Sequence, residues 1–479
     1  MKTSWMNRTF AAARLLALAA TLAAGGASAE EAAGDWNGLL GGQLHIIVHV
    51  TKDAGGHYGA TLESPDQGSF VLAADQVAAD ADHFSFTIAK IGGSFAGTWS
   101  AGKNGWVGTW TQGQALALVL SRMTSRAALA PAKRPQEEAI SAGPRPYRQE
   151  AVSFANAAAG VKLAGTLGIP DGAGPFPAVV LICGSGPQTR DEDVMGHKIF
   201  LVLADALNRR GIAVLRYDKR GVGESTGNYA TATFTDFAAD TESALAFLKS
   251  RPEIAPDRIG LVGHSEGGAV APMIAVRDPS ARFVVLMAAP GMRIGQLLRL
   301  QTAKIAKASG ASDADIAKKL AFFDKLYVDL AGAGGDAQAL AVARADVARA
   351  VADKIVPAAS ADALATLVTS PWAHEAFAYD PIPALRQLKT PVLALNGSLD
   401  LQVPAEEDLN PIRAALQGNP ETTIVELPNL NHLFQTAKVG TPAEYGEIEE
   451  TIAPAALKTI ADWVVAHGST PASRLESAR

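Results

Sequence analysis

The sequence predicts an α/β protein with a mostly parallel sheet and a helical insertion, preceded by a small all-β domain. Three observations predict it. Near-continuous apolar strands at 178–182, 212–217, 259–262 and 283–288 alternate with helical segments at 200–210 and 234–249. Strands that are apolar on both faces need helices above and below them, as in a covered parallel sheet. Residues 34–122 instead carry short β-rich runs punctuated by turn residues. Residues 292–380 carry helix signals without strands, between the sixth and seventh strands of the sheet.

The N-terminus reads as a targeting segment. Lys2, Arg8 and Arg14 precede a short apolar run at 15–24, and Ala27-Ser28-Ala29 is an A-x-A cleavage site. Residues 1–29 are therefore expected to be removed, leaving a chain that starts near Glu30 and is exported to the periplasm or secreted. No other stretch is long and apolar enough to span a bilayer, so no stable membrane insertion is expected. The 479 residues carry 42 Lys and Arg against 48 Asp and Glu, a net charge of −6. That balance argues against nucleic acid or anionic membrane as a partner. Cys183 is the single cysteine, so no internal disulfide can form.

Residues 30–125 form the expected β domain. Runs at 44–50, 68–72 and 84–88 are separated by Asp53-Ala54-Gly55-Gly56, Ser64-Pro65-Asp66 and Gly92-Gly93. Gly97-Thr98-Trp99 recurs as Gly108-Thr109-Trp110, which suggests consecutive hairpins in an antiparallel barrel or meander. The two tryptophans read as core. His45 and His49 share a strand face but lack a third ligand, so an exposed face is expected there and no metal site.

Residues 126–148 contain Pro131, Pro135, Pro144 and Pro146, a linker composition expected to be extended in part. The α/β domain occupies 149–468 and opens with a hairpin near 152–167. Its helical cap spans about 292–380, with helices from Ser312 through Leu330 and from Asp336 through Ile355. Strands resume at 391–395 and 423–427, and 469–479 is a flexible tail.

Gly263-His264-Ser265-Glu266-Gly267 spells G-x-S-x-G where a strand meets a helix. Such a turn holds the serine in a strained, exposed position. A serine hydroxyl is a poor nucleophile and needs a base oriented by a carboxylate. Asp400 and His432 follow the next two strands, in the order Ser265, Asp400, His432 that this arrangement uses. The rival acids Glu406, Glu407 and Asp408 read as the start of a helix. His467 and His374 fall in the terminal helix and the cap, and His264 points the wrong way. An oxyanion needs two N–H donors. They are expected from Glu266 and from Ser185 in the turn Cys183-Gly184-Ser185-Gly186-Pro187, with Gly186 the alternative to Ser185. The segment from Asp218 to Ser225 is expected at the pocket rim. Its glycines lack the dinucleotide fingerprint, so no cofactor is expected.

The chain from about 149 to 467 resembles the α/β-hydrolase superfamily, and within it bacterial capped serine esterases of the serine-aminopeptidase-like branch. The matching segments are Gly184-Ser185-Gly186-Pro187 with Arg190-Asp191, Tyr217-Asp218-Lys219-Arg220-Gly221, Gly263-His264-Ser265-Glu266-Gly267-Gly268, Asn396-Gly397-Ser398-Leu399-Asp400 and Asn431-His432-Leu433-Phe434. The family usually carries His before the oxyanion-loop glycine, where this chain has Cys183. The resemblance does not reach the β domain. It implies an α/β-hydrolase fold and an exported carboxylesterase acting on small ester substrates, with short acyl chains expected. A serine peptidase using the same triad is the first alternative, and a non-catalytic binding protein built around the β domain is the second. Composition and spacing leave the natural substrate and the oligomeric state open.

Overall fold

A computed structural model describes residues 32–40, 44–64, 71–112, 114–123, 133–356 and 361–468. The expected leader and tail lie outside the described residues.

The first nine strands are β1 (Gly34–Leu40), β2 (Leu44–Lys52), β3 (Tyr58–Glu63), β4 (Val71–Ala73), β5 (Gln76–Ala79), β6 (His83–Ile88), β7 (Gly93–Ser100), β8 (Gly105–Gln112) and β9 (Gln114–Arg122). They form one antiparallel sheet in the order β4-β3-β2-β1-β9-β8-β7-β6-β5. The first and last strands pair, so the meander closes on itself, leaving a seam only between β4 and β5. There Ala74 N–H donates to Ala60 of β3, and Asp75 N–H to Thr87 of β6. Curling a meander this way hides most of its edges. The two Gly-Thr-Trp repeats cross where Gly97 faces Gly108, and a Cβ on Gly108 would stand 2.2 Å from the Ala96 carbonyl oxygen. Trp110 is buried with Trp36, Trp106, Phe84, Phe86 and Phe95, and half-buried Trp99 packs on Trp106, so these aromatics are core. His49 is tied to Asp35 (2.6 Å) and Glu63 across neighbouring strands. Among the described residues no cluster has the makings of a metal site.

The described part of the linker contains a docked helix, α1 (Pro135–Ala142), and turns extended at Gly143. Ile140 is buried against the sheet's helical layer. Arg134 donates to the carbonyls of Met195, Gly196, Gly446 and Ile448. Proline at the first helical position is compatible with a helix, because the N–H it lacks would have no partner there.

The second sheet contains β10 (Tyr147–Asn156), β11 (Val161–Pro170), β12 (Phe176–Ile182), β15 (Ala213–Tyr217), β16 (Ile254–His264), β17 (Ala281–Met287), β18 (Val392–Gly397) and β19 (Thr422–Leu427). A two-strand hairpin, β13 (Asp193–Val194) and β14 (His197–Lys198), stands apart. The sheet order is β10-β11-β15-β12-β16-β17-β18-β19. Only β11 runs against the rest. Alternate residues of β12 serve opposite faces: Ala178, Val180 and Ile182 one way, Val179 and Leu181 the other. Helices α3 (Phe234–Lys249), α4 (Glu266–Arg277), α10 (Ile382–Gln387) and α11 (Ala405–Ala415) cover the first face. Helices α1, α2 (Ile199–Asn208) and α12 (Pro454–Gly468) cover the second. The chain is thus an α/β-hydrolase fold behind an antiparallel β unit.

Between β17 and β18 lie α5 (Ile294–Ala308), α6 (Asp313–Ala331), α7 (Asp336–Ala352), α8 (Ala361–Val368) and α9 (Pro371–Ala378). Ser312 caps α6 by accepting from the Asp315 N–H at 3.1 Å. Leu326, Val347 and Ala365 give these helices a small core of their own, with Phe322 and Phe323 packed on it. Trp372 and Phe377 pack instead on the core of the sheet.

Candidate active site

The elbow is built by close backbone approach. Ser265 sits between β16 and α4 at φ 53° and ψ −116°, a conformation that a residue with a Cβ rarely adopts. Its N–H donates to Met287 O (2.8 Å), and its carbonyl accepts from Gly268 N–H (2.9 Å). A Cβ on Gly263 would lie 2.1 Å from Gly267 O, and one on Gly267 would lie 2.0 Å from Ile182 O. The motif's glycines are therefore dictated by space.

Asp400 and His432 come from the loops after β18 and β19. His432 Nδ1 and Asp400 Oδ2 are 2.8 Å apart, both side chains being buried. Asp400 Oδ1 accepts from the N–H groups of Gln402 and Val403, each at 2.8 Å. The carboxylate is thus fixed on one side by backbone and spent on the other orienting imidazole. Asn431 holds the histidine loop: its Oδ1 accepts from Leu433 N–H and Gln435 N–H, and its Nδ2 donates to Gln435 Oε1. The sequence singled out the Asn431-His432 pair but not this role.

Both ring nitrogens of His264 are engaged. Its Nδ1 meets Glu192 Oε1 at 3.0 Å, and its Nε2 meets the His432 carbonyl at 3.0 Å. Burial disfavours its charge, but the Glu192 carboxylate, the His432 carbonyl and the Asp400 charge together raise its pKa. The same Glu192 oxygen accepts from Gly184 N–H. One buried carboxylate therefore links the 183–187 turn, the elbow and, through His264, the histidine loop. Sequence reasoning missed Glu192; the only trace was a third charge after Arg190-Asp191 behind a glycine turn.

Of the segment expected at the pocket rim, Gly221, Gly223 and Glu224 are exposed, whereas Asp218, Lys219 and Arg220 are all buried. Lys219 Nζ donates to Gly184 O (2.6 Å) and to Glu266 Oε1 (2.7 Å). Asp218 takes a two-pronged hydrogen bond from Arg190, and Arg220 pairs with Asp240. Charged residues run consecutively after a strand usually mean surface, but here each is buried with a charged partner.

The segment 197–434 matches the family model described as serine aminopeptidase, S33. With the elbow and the sheet order, the match agrees with the fold. The chain has the α/β-hydrolase fold, and its segment 197–434 is similar to that family. Esterase EstD of Thermotoga maritima is 29% identical to this α/β-hydrolase over 307 residues, covering 63% of this chain and 65% of that one. The thiohydrolase apmlB of Arthrinium phaeospermum is 40% identical over 76 residues, covering 16% of this chain and 25% of that one. The chain thus spans just under two thirds of the first relative and a quarter of the second. Among solved structures, a Pyrococcus furiosus esterase aligns with a TM-score of 0.40 and 19% identity, covering 59% of this chain and 83% of that one.

The rival acids of this α/β-hydrolase lie in the first turn of α11. Asp408 is buried, accepts from Gly291 N–H at 2.7 Å, and leaves Oδ2 unpartnered. Burial pushes its pKa up to about 7. A carboxyl half-protonated at neutral pH is a poor orienter of imidazolium, so it does not displace Asp400. His467 stacks on Trp463 at the far end of α12, and His374 lies in α9.

Cys183 is buried at the end of β12, with its Sγ facing the Thr189 carbonyl. Burial, then the Glu192 charge, pushes its thiol pKa well above the ordinary value. A neutral, enclosed thiol is inert. Cys183→Ser is expected to keep most activity, and native protein should resist iodoacetamide. Complete loss of turnover in a folded Cys183→Ser variant, measured beside its circular dichroism, would contradict this.

Proposed function

We propose that the chain is an exported serine hydrolase of carboxylic esters, with Ser265 as nucleophile, His432 as general base and Asp400 as its orienting acid. The observation that carries this reading is the strained elbow serine beside a histidine loop whose Nδ1 is engaged by a buried carboxylate. Ser265 attacks the ester carbonyl and passes its proton to His432 Nε2. The oxyanion is held by the N–H groups of Glu266 and Ser185. His432 then protonates the departing alcohol, and water, deprotonated by His432, releases the acid from the acyl-enzyme. The esterase name of the Thermotoga relative supports ester over amide chemistry. An aminopeptidase needs a free carboxylate to hold a substrate amine. Glu266, next to the nucleophile, is already taken by Lys219 and by Trp372 Nε1, the latter at 2.5 Å.

The bond from Trp372 to Glu266 brings α9 of the cap down onto the elbow. Phe377 packs edge-on against Trp372 and Tyr327. Such a wall bounds the acyl pocket, where an added methylene must find room before its burial can contribute about 0.8 kcal/mol. Hydrolysis of p-nitrophenyl esters is expected to peak in kcat/KM at short acyl chains, with aminoacyl anilides cleaved far more slowly. Trp372→Ala and Phe377→Ala are each expected to move the optimum to longer chains. A wild-type optimum at long chains, or an optimum unmoved by both variants, would remove the cap from the pocket. Faster anilide cleavage would favour the peptidase.

A further inference from the structure

Beneath the oxyanion loop lies an ion pair that the triad does not use. Lys219 and Glu266 are each 6% exposed, and the lysine ammonium also sits 4.4 Å from the Phe237 ring centre. An ammonium is costly to bury, and it stays charged only with partners. Burial works against the Lys219 charge, but Glu266, together with Tyr229 and Cys183, more than offsets it, so its pKa is raised. The remaining partner is the Gly184 carbonyl.

We propose that Lys219 is a positioning residue of the oxyanion site, turning the Gly184–Ser185 peptide so that Ser185 N–H faces the reacting carbonyl. The inference rests on the serine-hydrolase reading. The only cis peptide among the described residues is Gly174–Pro175, so the Gly184–Ser185 bond is trans. In a planar trans peptide the C=O and the following N–H point in opposite directions. Lys219 draws the Gly184 oxygen into the interior, so Ser185 N–H points outward. Ser185 is exposed, while Gly184 is buried. The peptide is also beside the nucleophile, because a Cβ on Gly184 would stand 3.3 Å from Ser265 Cβ.

A further contact narrows the choice of donor. Glu192 takes Gly184 N–H at 2.5 Å, leaving that N–H unable to serve the oxyanion. A cation on the Gly184 oxygen polarises the peptide and strengthens Ser185 N–H as a donor. The same ammonium anchors the side chain of Glu266, whose backbone supplies the other N–H. One buried charge thereby ties the two donors together.

The test compares ligands of the ground state and of the transition state. The probes are a short-chain p-nitrophenyl ester, a trifluoromethyl ketone that adds to Ser265, and a non-hydrolysable ether analogue of the ester. Lys219→Met is expected to lower kcat by ~10²-fold or more, the scale of losing one oxyanion donor, with KM near wild type. Trifluoromethyl ketone affinity should fall by the same factor, and ether affinity should hold. Lys219→Met with Glu266→Gln removes the stranded carboxylate and carries the same expectation if the single variant unfolds. In the wild-type protein, selectively ¹⁵N-labelled at serine or at glycine, ketone addition should move the Ser185 amide proton downfield and leave Gly186 in place.

Equal weakening of ketone and ether, unchanged ketone affinity in a folded variant, or a shift at Gly186 instead of Ser185 would each overturn the role of Lys219. A wild-type protein that neither hydrolyses the ester nor binds the ketone through Ser265 would overturn the hydrolase reading itself.

Discussion

Ser265→Ala is expected to lower kcat for ester hydrolysis by about 10⁵-fold or more, with KM little changed, because triad members act as a unit. The variant loses the covalent route, but the oxyanion donors and the binding surface remain. His432→Ala should cost about as much, since without a base the hydroxyl stays protonated and no acid serves the leaving alcohol. Neither variant should lose its fold. Ser265 is held by backbone contacts to Met287 and Gly268, and the elbow packs through glycines rather than the serine side chain. Burst kinetics with a p-nitrophenyl ester and labelling by a fluorophosphonate should both disappear in Ser265→Ala. Full activity in that variant would dismantle the assignment, and a wild-type protein that takes no fluorophosphonate would point to a binding role.

Asp400→Asn is expected to lower kcat on the order of 10⁴-fold, because an amide can stabilise the wrong imidazole tautomer. Asp400 Oδ2 receives His432 Nδ1 at 2.8 Å, and two backbone N–H groups hold Oδ1. An asparagine that keeps those backbone bonds must turn its NH₂ toward His432. The ring then carries its proton on Nε2 and cannot accept one from Ser265.

Asp408→Asn is the matching control, expected to spare kcat and to change stability instead. In the unfolded chain an aspartate titrates near ~3.9. In the fold, burial takes Asp408 to about 7. Between those values the folded state holds a proton that the unfolded state has released, so wild-type stability falls as pH rises through that window. Asparagine has no such titration. The Tm advantage of Asp408→Asn should therefore widen from pH 4 to pH 7 and then level off. A crippled Asp408→Asn beside an active Asp400→Asn would move the acid to α11.

Much of the molecule was legible because local rules and global packing agree. Apolar runs on both faces of a strand announce a covered sheet, and G-x-S-x-G announces a strand-to-helix turn too tight for side chains. Asp400 and His432 followed from the same logic, being polar residues placed just after strands whose ends must open at one edge. Helix α1 within the linker was not foreseen, because proline was weighed as a breaker, although at the first turn it is compatible with a helix. The cap aromatics could be located but not sorted. Helical period does not say which neighbour a face will meet, and Phe322 and Phe323 went to the cap's core while Trp372 reached the elbow.

By itself the sequence determined the order of strands and helices, the site of the elbow and the residues able to form a triad. These depend on spacing along the chain, which a sequence records directly. Only the tertiary structure decided which charges are buried and what each one holds. Glu192, Lys219 and Glu266 look like ordinary surface residues in the linear chain. Packing removes them from water, and each must then find a partner. The partners lie 8 to 106 residues away, on Gly184, His264, Trp372 and one another. Such pairings follow from how the sheet brings distant loops to one edge, and no local pattern encodes them.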